Sequence, residues 1–296
     1  MRIFITGATG LIGTALCHKL LSLGHSIVAL TRDADKAKAH FAGATLDFCT
    51  DLTALSDFNE IDAVINLAGE TIFDQRWTDE QKARLVESRV KLTTALVDKI
   101  NASQTPPEVL ISGSAIGFYG DVHQSAVDET APAGESFAAE LCQQWEAAAS
   151  RANTRVCLLR TSNVLAAHGG ALAQMLGVYK LGLGGKLGSG KQNWAWIHLD
   201  DMVEAIVFLL THSQCHGPFN CCTPHFVPNA QFSRTLAQVL GRPHFAFVPA
   251  FVLKLMLGER AQLLLDNQPI VPNALAQAGF HFNHPHLEGA LKDLLA

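Results

Sequence analysis

The segment "RIFITGATGLIG", Arg2 to Gly13, constrains this chain more than any other. A short apolar β-branched run ends in three glycines spaced G-x-x-G-x-x-G, and an apolar helical pattern follows from Leu11 to Leu23. In a strand–turn–helix unit, the first glycine (Gly7) permits a tight turn. The second (Gly10) lets a phosphate group approach the backbone, and the third (Gly13) lets helix and strand pack closely. The N–H groups of the turn and helix start, through Thr9, Leu11 and Ile12, then face negative charge. A three-glycine spacing alone is a weak signal, but directly after a first strand it points to a dinucleotide.

The remaining pattern fits that reading. Strands are expected at "HSIVALT", "ATLDF", "DAVINLAG", "EVLISGS" and "RVCLLRTSNV", alternating with helical stretches. One of these runs from about Thr78 to Ala102, with Asp79 and Glu80 in its first turn. Strands alternating with helices mean a parallel sheet wound on both faces, an α/β Rossmann-type fold. The near-continuous apolar strands suit a sheet covered on both sides. The chain of 296 residues, 48% of them hydrophobic, allows a large core. After about residue 165 the rhythm loosens, with helices expected at 199–212 and 229–240 and a strand at "GPFNCC". The expected division is a nucleotide-binding domain over 1–242, with substrate-side elements from about 165, and a small C-terminal module over 243–296.

Composition excludes some partners. The formal charge is -5 and there is no Lys/Arg-rich run, so no nucleic-acid footprint is expected. The apolar stretch "PAFVLKLMLGE" is interrupted by Lys254 and is shorter than the ~20 residues a spanning helix needs. No secretory signal is visible, and a soluble cytoplasmic protein is expected. The seven cysteines form no C-x-x-C pair and read as buried reduced thiols. His281, His284 and His286 lie close together in the tail, but without a nearby cysteine or carboxylate no metal is expected.

The end of the second strand selects the dinucleotide. An acid there binds the adenosine ribose of NAD, whereas an arginine pairs with the 2′-phosphate of NADP. This chain has Thr31 and Arg32 at that point, which favours NADP, with NAD the alternative because Asp33 is adjacent. Asp33 also reads as the N-cap of the next helix.

Several motifs agree with the glycine turn: "NLAG", "SGSAIGFYG", "LLRTSNVL" and "WIHLDDM". Together they resemble the extended, epimerase-like branch of the short-chain dehydrogenase/reductase superfamily. The fuller set "NLAGE", "RWT", "ESR", "WE", "LGLGG", "GSG" and "WIHLDDM" is similar to the atypical epimerase-family proteins sometimes labelled cell-division inhibitors, which carry a small C-terminal domain of unknown function. The resemblance spans essentially the whole chain. It implies that Leu67, Ala68 and Gly69 pass close to the adenine side. It implies that Thr161, Ser162 and Val164 lie beside the nicotinamide, and Ser112 joins this cofactor-side set. Arg89, where extended relatives have asparagine, would reach the cofactor phosphates or form a surface pair on its helix. Glu70 and Arg76 fall in a loop that faces the active cleft in relatives. There Arg76 would hold an acidic substrate or remain a surface arginine.

In ordinary members of that superfamily a tyrosine is the general acid, a lysine one turn later lowers its pKa, and a serine orients the substrate oxygen. Ser114 matches the serine. The helix "ESFAAELCQQWE" has Phe137 and Leu141 at the other two positions, and neither can move a proton. Only Tyr119 and Tyr179 exist in the chain, and neither has a lysine four residues later. Tyr119, in the loop after the fifth strand, becomes the candidate proton donor, with Glu135 and Cys142 in its neighbourhood. His198 would act near neutral pH or form a structural hydrogen bond at a helix start. Glu140 and Glu146 read as a solvated helix face.

"GKLGSGKQ" approaches a P-loop, but Gln192 stands where Ser or Thr would hold magnesium, and no buried strand precedes it. It reads instead as a substrate-side loop, with Lys186, Lys191 and Gln192 beside the ligand. Trp194 and Trp196 then wall the pocket or pack in the core. The expectation is an NADP-dependent oxidoreductase or epimerase-like enzyme acting on a small molecule. The alternative is a non-catalytic NADP(H)-binding sensor.

Overall fold

The computed structural model describes residues 1–296. Five parallel strands open the chain: β1 (Arg2–Thr6), β2 (Ser26–Leu30), β3 (Asp47–Cys49), β4 (Ala63–Asn66) and β5 (Val109–Ala115). Between them run helices α1 (Leu11–Ser22), α2 (Ala34–His40), α3 (Asp79–Val86) and α4 (Leu92–Ala102). Helix α5 (Phe137–Ala149) and strand β6 (Arg155–Thr161) follow. The strand expected to continue through "TSNV" breaks at Ser162 and resumes as β7 (Asn163–Leu165).

The second half contains α6 (Gly170–Lys180), β8 (Gly185–Leu187), β9 (Asn193–Trp194), β10 (Trp196–His198) and α7 (Leu199–Thr211). It continues with β11 (Gly217–Cys221), β12 (Val227–Pro228) and α8 (Asn229–Val239). The C-terminal segment adds β13 (Ala246–Val248), α9 (Ala250–Leu257), α10 (Gln262–Leu265), α11 (Asn273–Gln277) and α12 (Leu287–Leu295).

Seven strands form the central sheet in the order β11-β6-β5-β4-β1-β2-β3. Every pairing is parallel. The third strand covers Asp47–Cys49 rather than "ATLDF", a three-residue edge pairing with β2. One face of the sheet packs on α1 and α7 through Leu16, Leu20, Met202 and Ile206. The other packs on α4 through Leu96, Val97 and Ile100, with Phe58 and Ala149. Burial on both faces explains why these strands carry little polar alternation.

The strand order reverses between β1 and β4, because β1 lies between β2 and β4 while the chain continues outward on both sides. Crevices beyond the carboxyl ends of strands at such a switch point bind ligands in open α/β sheets. The glycine turn after β1 and the Leu67–Gly69 loop after β4 meet there.

The C-terminal segment is integrated with the rest. Strand β13 pairs with β8. Leu287, Ala290 and Leu291 of α12 join Trp194, Trp196, Phe232 and Leu236 in one apolar cluster. Leu275 and Phe280 enter the main core. No helix is long and apolar enough to cross a membrane.

Candidate functional site

Gly7 has φ +73°, and a Cβ there would lie 2.7 Å from the Leu67 carbonyl carbon and 2.8 Å from the Ala68 nitrogen. A side chain at this residue would therefore push the two cofactor-side loops apart. A Cβ on Gly13 would lie 2.1 Å from the Gly7 oxygen, so the third glycine is what lets α1 sit on the turn. Gly10 differs, because its Cβ would meet only the Gly7 oxygen, at 3.2 Å, and the residue is exposed.

Helix α1 has no side-chain cap. The Thr14 N–H reaches the Gly10 carbonyl, but the N–H groups of Leu11, Ile12 and Gly13 have no acceptor within the protein. Three unpaired amides at the start of a 12-residue helix, beside an open glycine, form an anion cradle. These residues fit a dinucleotide pyrophosphate. Leu11 also touches the loop after β7, where a Cβ on Gly169 would lie 2.8 Å from its Cδ1. That contact brings the segment containing Val164 alongside the turn.

Arg32 is exposed and its guanidinium makes no hydrogen bond or ion pair. Its neighbours are occupied locally: Thr31 bonds to the Asp33 backbone, and the Asp33 carboxylate accepts from the Lys36 N–H as the cap of α2. Asp33 thus serves the helix, and Arg32 stays free at the end of β2.

A buried polar network braces the cofactor-side loops from below. Thr6 Oγ1 donates to Asn66 Oδ1 at 2.7 Å and accepts from the Ala68 N–H at 3.1 Å. Asn66 Nδ2 donates to Thr93 Oγ1, which also accepts from Trp145 Nε1. Ser112 belongs to this network, within 3.4 Å of Asn66 Nδ2, and is fully buried. With its side chain buried in this network, it braces the cofactor-side loops from behind.

Arg89 is placed differently from the surface pair that its helix position allows. The long helical stretch contains a π-helical turn over Glu87–Lys91 between α3 and α4. That turn directs Arg89 inward, where it donates to the carbonyls of Glu70 (2.7 Å) and Leu85 (3.2 Å) and lies over the Trp145 ring. No carboxylate pairs with it, so the surface ion pair is absent. Its guanidinium sits under Gly69 and pins the loop. Burial lowers its pKa from the usual arginine value.

The expected proton-transfer groups lie in a closed network. Ser114 Oγ donates to Glu146 Oε1 at 2.6 Å. Glu146 is buried rather than solvated, and Arg160 grips it with two bonds of 2.9 Å, from Nε to Oε1 and from Nη2 to Oε2. Tyr119 donates to Asn220 Oδ1 at 2.7 Å and accepts from Arg160 Nη1 at 2.8 Å. Burial pushes the Tyr119 hydroxyl up to about 12, with Arg160 opposing. A tyrosine 4% exposed, saturated with protein partners and reluctant to ionise is a structural group, which corrects its assignment as proton donor. Burial also pushes the Cys142 thiol up to about 11, so it is no nucleophile. Burial alone would lower the Arg160 pKa, but the bonds and charge of Glu146 and Tyr119 outweigh it and raise it.

The substrate-side set separates. Trp196 is fully buried and donates to the His225 carbonyl, so it packs in the core and does not line the cleft described below. His198 is 2% exposed, and its Nδ1 accepts the Asp200 N–H as the N-cap of α7, which replaces its substrate-side role. That bond leaves Nε2 as the protonated nitrogen of the neutral ring, facing Asp293 at 3.3 Å. His198, Asp200, His284 and Asp293 gather within 4.8 Å, but this tautomer gives His198 no lone pair for a metal. Glu70 accepts from Gln81 Nε2, and Arg76 is exposed and reaches the Leu255 carbonyl of α9.

Gln192 does line a cleft, although its amide donates to the carbonyls of Leu187 and Leu264. This cleft encloses about 680 Å³ between the start of α5 and the C-terminal segment. Ser136 and Phe137 form one wall, and Lys254, Glu259, Gln262 and Asp266 form the other. Phe137 packs edge-on against Trp77, 5.1 Å between centroids. No motif or spacing around Asp121 or Asp266 singles them out. Arg160 was detectable, since a charge within the apolar run "VCLLRT" demands a buried partner.

The turn, the switch-point crevice and the free amides define a doubly wound dinucleotide-fold protein. The chain belongs to the NAD dependent epimerase/dehydratase family, whose profile matches residues 3–222. A domain of unknown function (DUF1731) matches residues 248–294. The chain is 37% identical over 303 residues to the chloroplastic epimerase family protein SDR39U1 homolog of Arabidopsis thaliana, covering 100% of this chain and 87% of that one. It is 38% identical over 301 residues to an epimerase family protein of Staphylococcus haemolyticus, covering 99% of each. Among solved structures, human epimerase family protein SDR39U1 (isoform 2) with NADPH superposes with a TM-score of 0.91 at 33% identity, covering 99% of both chains.

Proposed function

We propose that this chain binds NADP(H) and acts as an oxidoreductase or epimerase-like enzyme on a small molecule. The observation that carries the cofactor choice is Arg32, a free guanidinium at the end of β2 with no carboxylate holding it. Its planar fork matches a 2′-phosphate. The NADPH of the human relative supports the same choice.

The residues divide the work. The amides of Leu11, Ile12 and Gly13 hold the pyrophosphate, Arg32 the adenosine side, and the loop at Leu67–Gly69, pinned by Arg89, lies against the ligand. A bound nicotinamide supplies hydride transfer at a carbon bearing oxygen. Ser114 and Tyr119 do not move the accompanying proton, because their partners are all within the protein. The cleft beside Phe137 receives the substrate. The seven unpaired cysteines support a reducing, cytoplasmic setting. A second reading, an NADP(H) sensor without turnover, is favoured by Phe137, Leu141 and the closed Ser114–Glu146–Arg160–Tyr119 network.

Arg32→Ala tests the cofactor choice. Titration followed by nicotinamide fluorescence is expected to show NADPH affinity falling by about 10–100-fold, with NADH changing by less than about threefold. Equal losses for both dinucleotides would remove the role given to Arg32.

A further inference from the structure

We propose that the cleft between α5 and the C-terminal segment binds a small uncharged ligand bearing hydroxyl or carbonyl oxygens, with Asp266 as the acid that meets one of those oxygens, and that it does not take a nucleoside diphosphate sugar. The proposal rests on reading the chain as an NADP(H)-binding protein that acts on a small molecule.

The lining carries it. Asp266 is half-buried on the cleft wall, and its carboxylate has no hydrogen-bond or ion-pair partner in the protein. Its only hydrogen bond is through the backbone, from its N–H to the Gln262 carbonyl. A half-buried carboxylate on a cleft wall that no protein group holds is free to bond a ligand oxygen. Ser189 and Gln262 add hydroxyl and amide groups to the same walls, which suits a ligand with several oxygens.

Charge defines what is refused. The ionisable residues lining the cleft are Asp121, Asp266, Glu259 and Lys254. Lys82 already pairs with Glu259 at 2.6 Å, and Asp121 accepts the Asn267 N–H. Lys254 is thus the one cation in the lining, against three carboxylates, and no arginine lines the cleft. A diphosphate would meet like charge without a guanidinium to hold it. An uncharged oxygen ligand meets no such cost.

The same geometry makes Asp266 able to exchange a proton near neutral pH. Burial and, after it, the neighbouring Asp121 charge raise its pKa to about 6, with Lys254 opposing. Below that pH the carboxyl donates a hydrogen bond to a ligand oxygen, and above it the carboxylate accepts one from a ligand hydroxyl.

Carbodiimide coupling to glycine methyl ester, which consumes protonated carboxyls, tests the role of Asp266 and the refusal of a nucleoside diphosphate sugar on the full chain without cofactor, so its outcome is independent of the NADP(H) assignment. At pH ~6, peptide mass spectrometry is expected to show Asp266 labelled at least about tenfold faster than Asp33 and Asp51, whose carboxyls their hydrogen bonds hold low. Asp121→Asn, which removes the neighbouring charge, is expected to reduce Asp266 labelling at that pH by at least about twofold. UDP-glucose at about 1 mM is the probe for the refused class and is expected to leave the labelling rate unchanged. Asp266 labelled no faster than Asp51, or indifferent to Asp121→Asn, would overturn its role as the cleft acid. Protection of Asp266 by UDP-glucose would overturn the ligand class.

Discussion

Glu146→Ala is expected to destabilise the protein by about 3–5 kcal/mol. The carboxylate lies 8% exposed between Ser114 and Arg160, and its removal strands a guanidinium that is itself 5% exposed. Arg160 would keep Tyr119 and the Glu129 carbonyl as acceptors, but neither carries the compensating charge. Stacking on Phe118, 3.5 Å from the guanidinium carbon to the ring centre, does not replace a bidentate ion pair. Urea denaturation at neutral pH gives the measurement. The double variant Glu146→Leu/Arg160→Met is expected to recover much of the loss, because it removes both charges and leaves apolar volume. A single variant within about 1 kcal/mol of wild type would show that the buried pair contributes little.

Gly13→Ala is expected to reduce NADPH affinity by more than about 100-fold, a loss of at least ~2.7 kcal/mol. The added methyl would sit 2.1 Å from the Gly7 oxygen and 2.9 Å from Ala8 backbone atoms. Backbone cannot yield as a flexible side chain does, so α1 must move and carry its three free amides with it. Gly10→Ala separates folding from binding. Its methyl meets one atom at 3.2 Å and otherwise points into the open cradle. Near-wild-type stability with strongly weakened NADPH binding is expected for that variant, by thermal denaturation and fluorescence titration.

What the sequence disclosed follows from range. The glycine turn, the free Arg32 and the cap formed by Asp33 are local features, and each depends on residues within a few positions. The central sheet was legible because apolar strands alternate with helices. The short third strand was misplaced because an edge of three residues has almost no period to read. The π-helical turn at Glu87–Lys91 was invisible, since one extra residue in a helix leaves the apolar spacing nearly intact.

The candidate site was harder, because its contacts join distant segments. Helix α5 shows the stripe Phe137, Leu141, Trp145, yet Cys142, Glu146 and Ala149 are buried as well. A solvated Glu146 was a fair expectation from the helix alone. Its burial follows from Arg160, which lies on β6 and pairs across 14 residues. Tyr119 looked reactive by position, and only Asn220 and Arg160, 101 and 41 residues away, reveal it as satisfied. Asp266 gave no local signal, since its setting is made by the fold of the C-terminal segment against α5.

A crystal structure of the full chain with NADPH would show directly whether the glycine turn and Arg32 hold the dinucleotide. Pyrophosphate oxygens are expected within about 3 Å of the Leu11, Ile12 and Gly13 nitrogens, and the 2′-phosphate within hydrogen-bond distance of the Arg32 guanidinium. A pyrophosphate lying away from those amides, or a 2′-phosphate held by other residues with Arg32 in solvent, would contradict it.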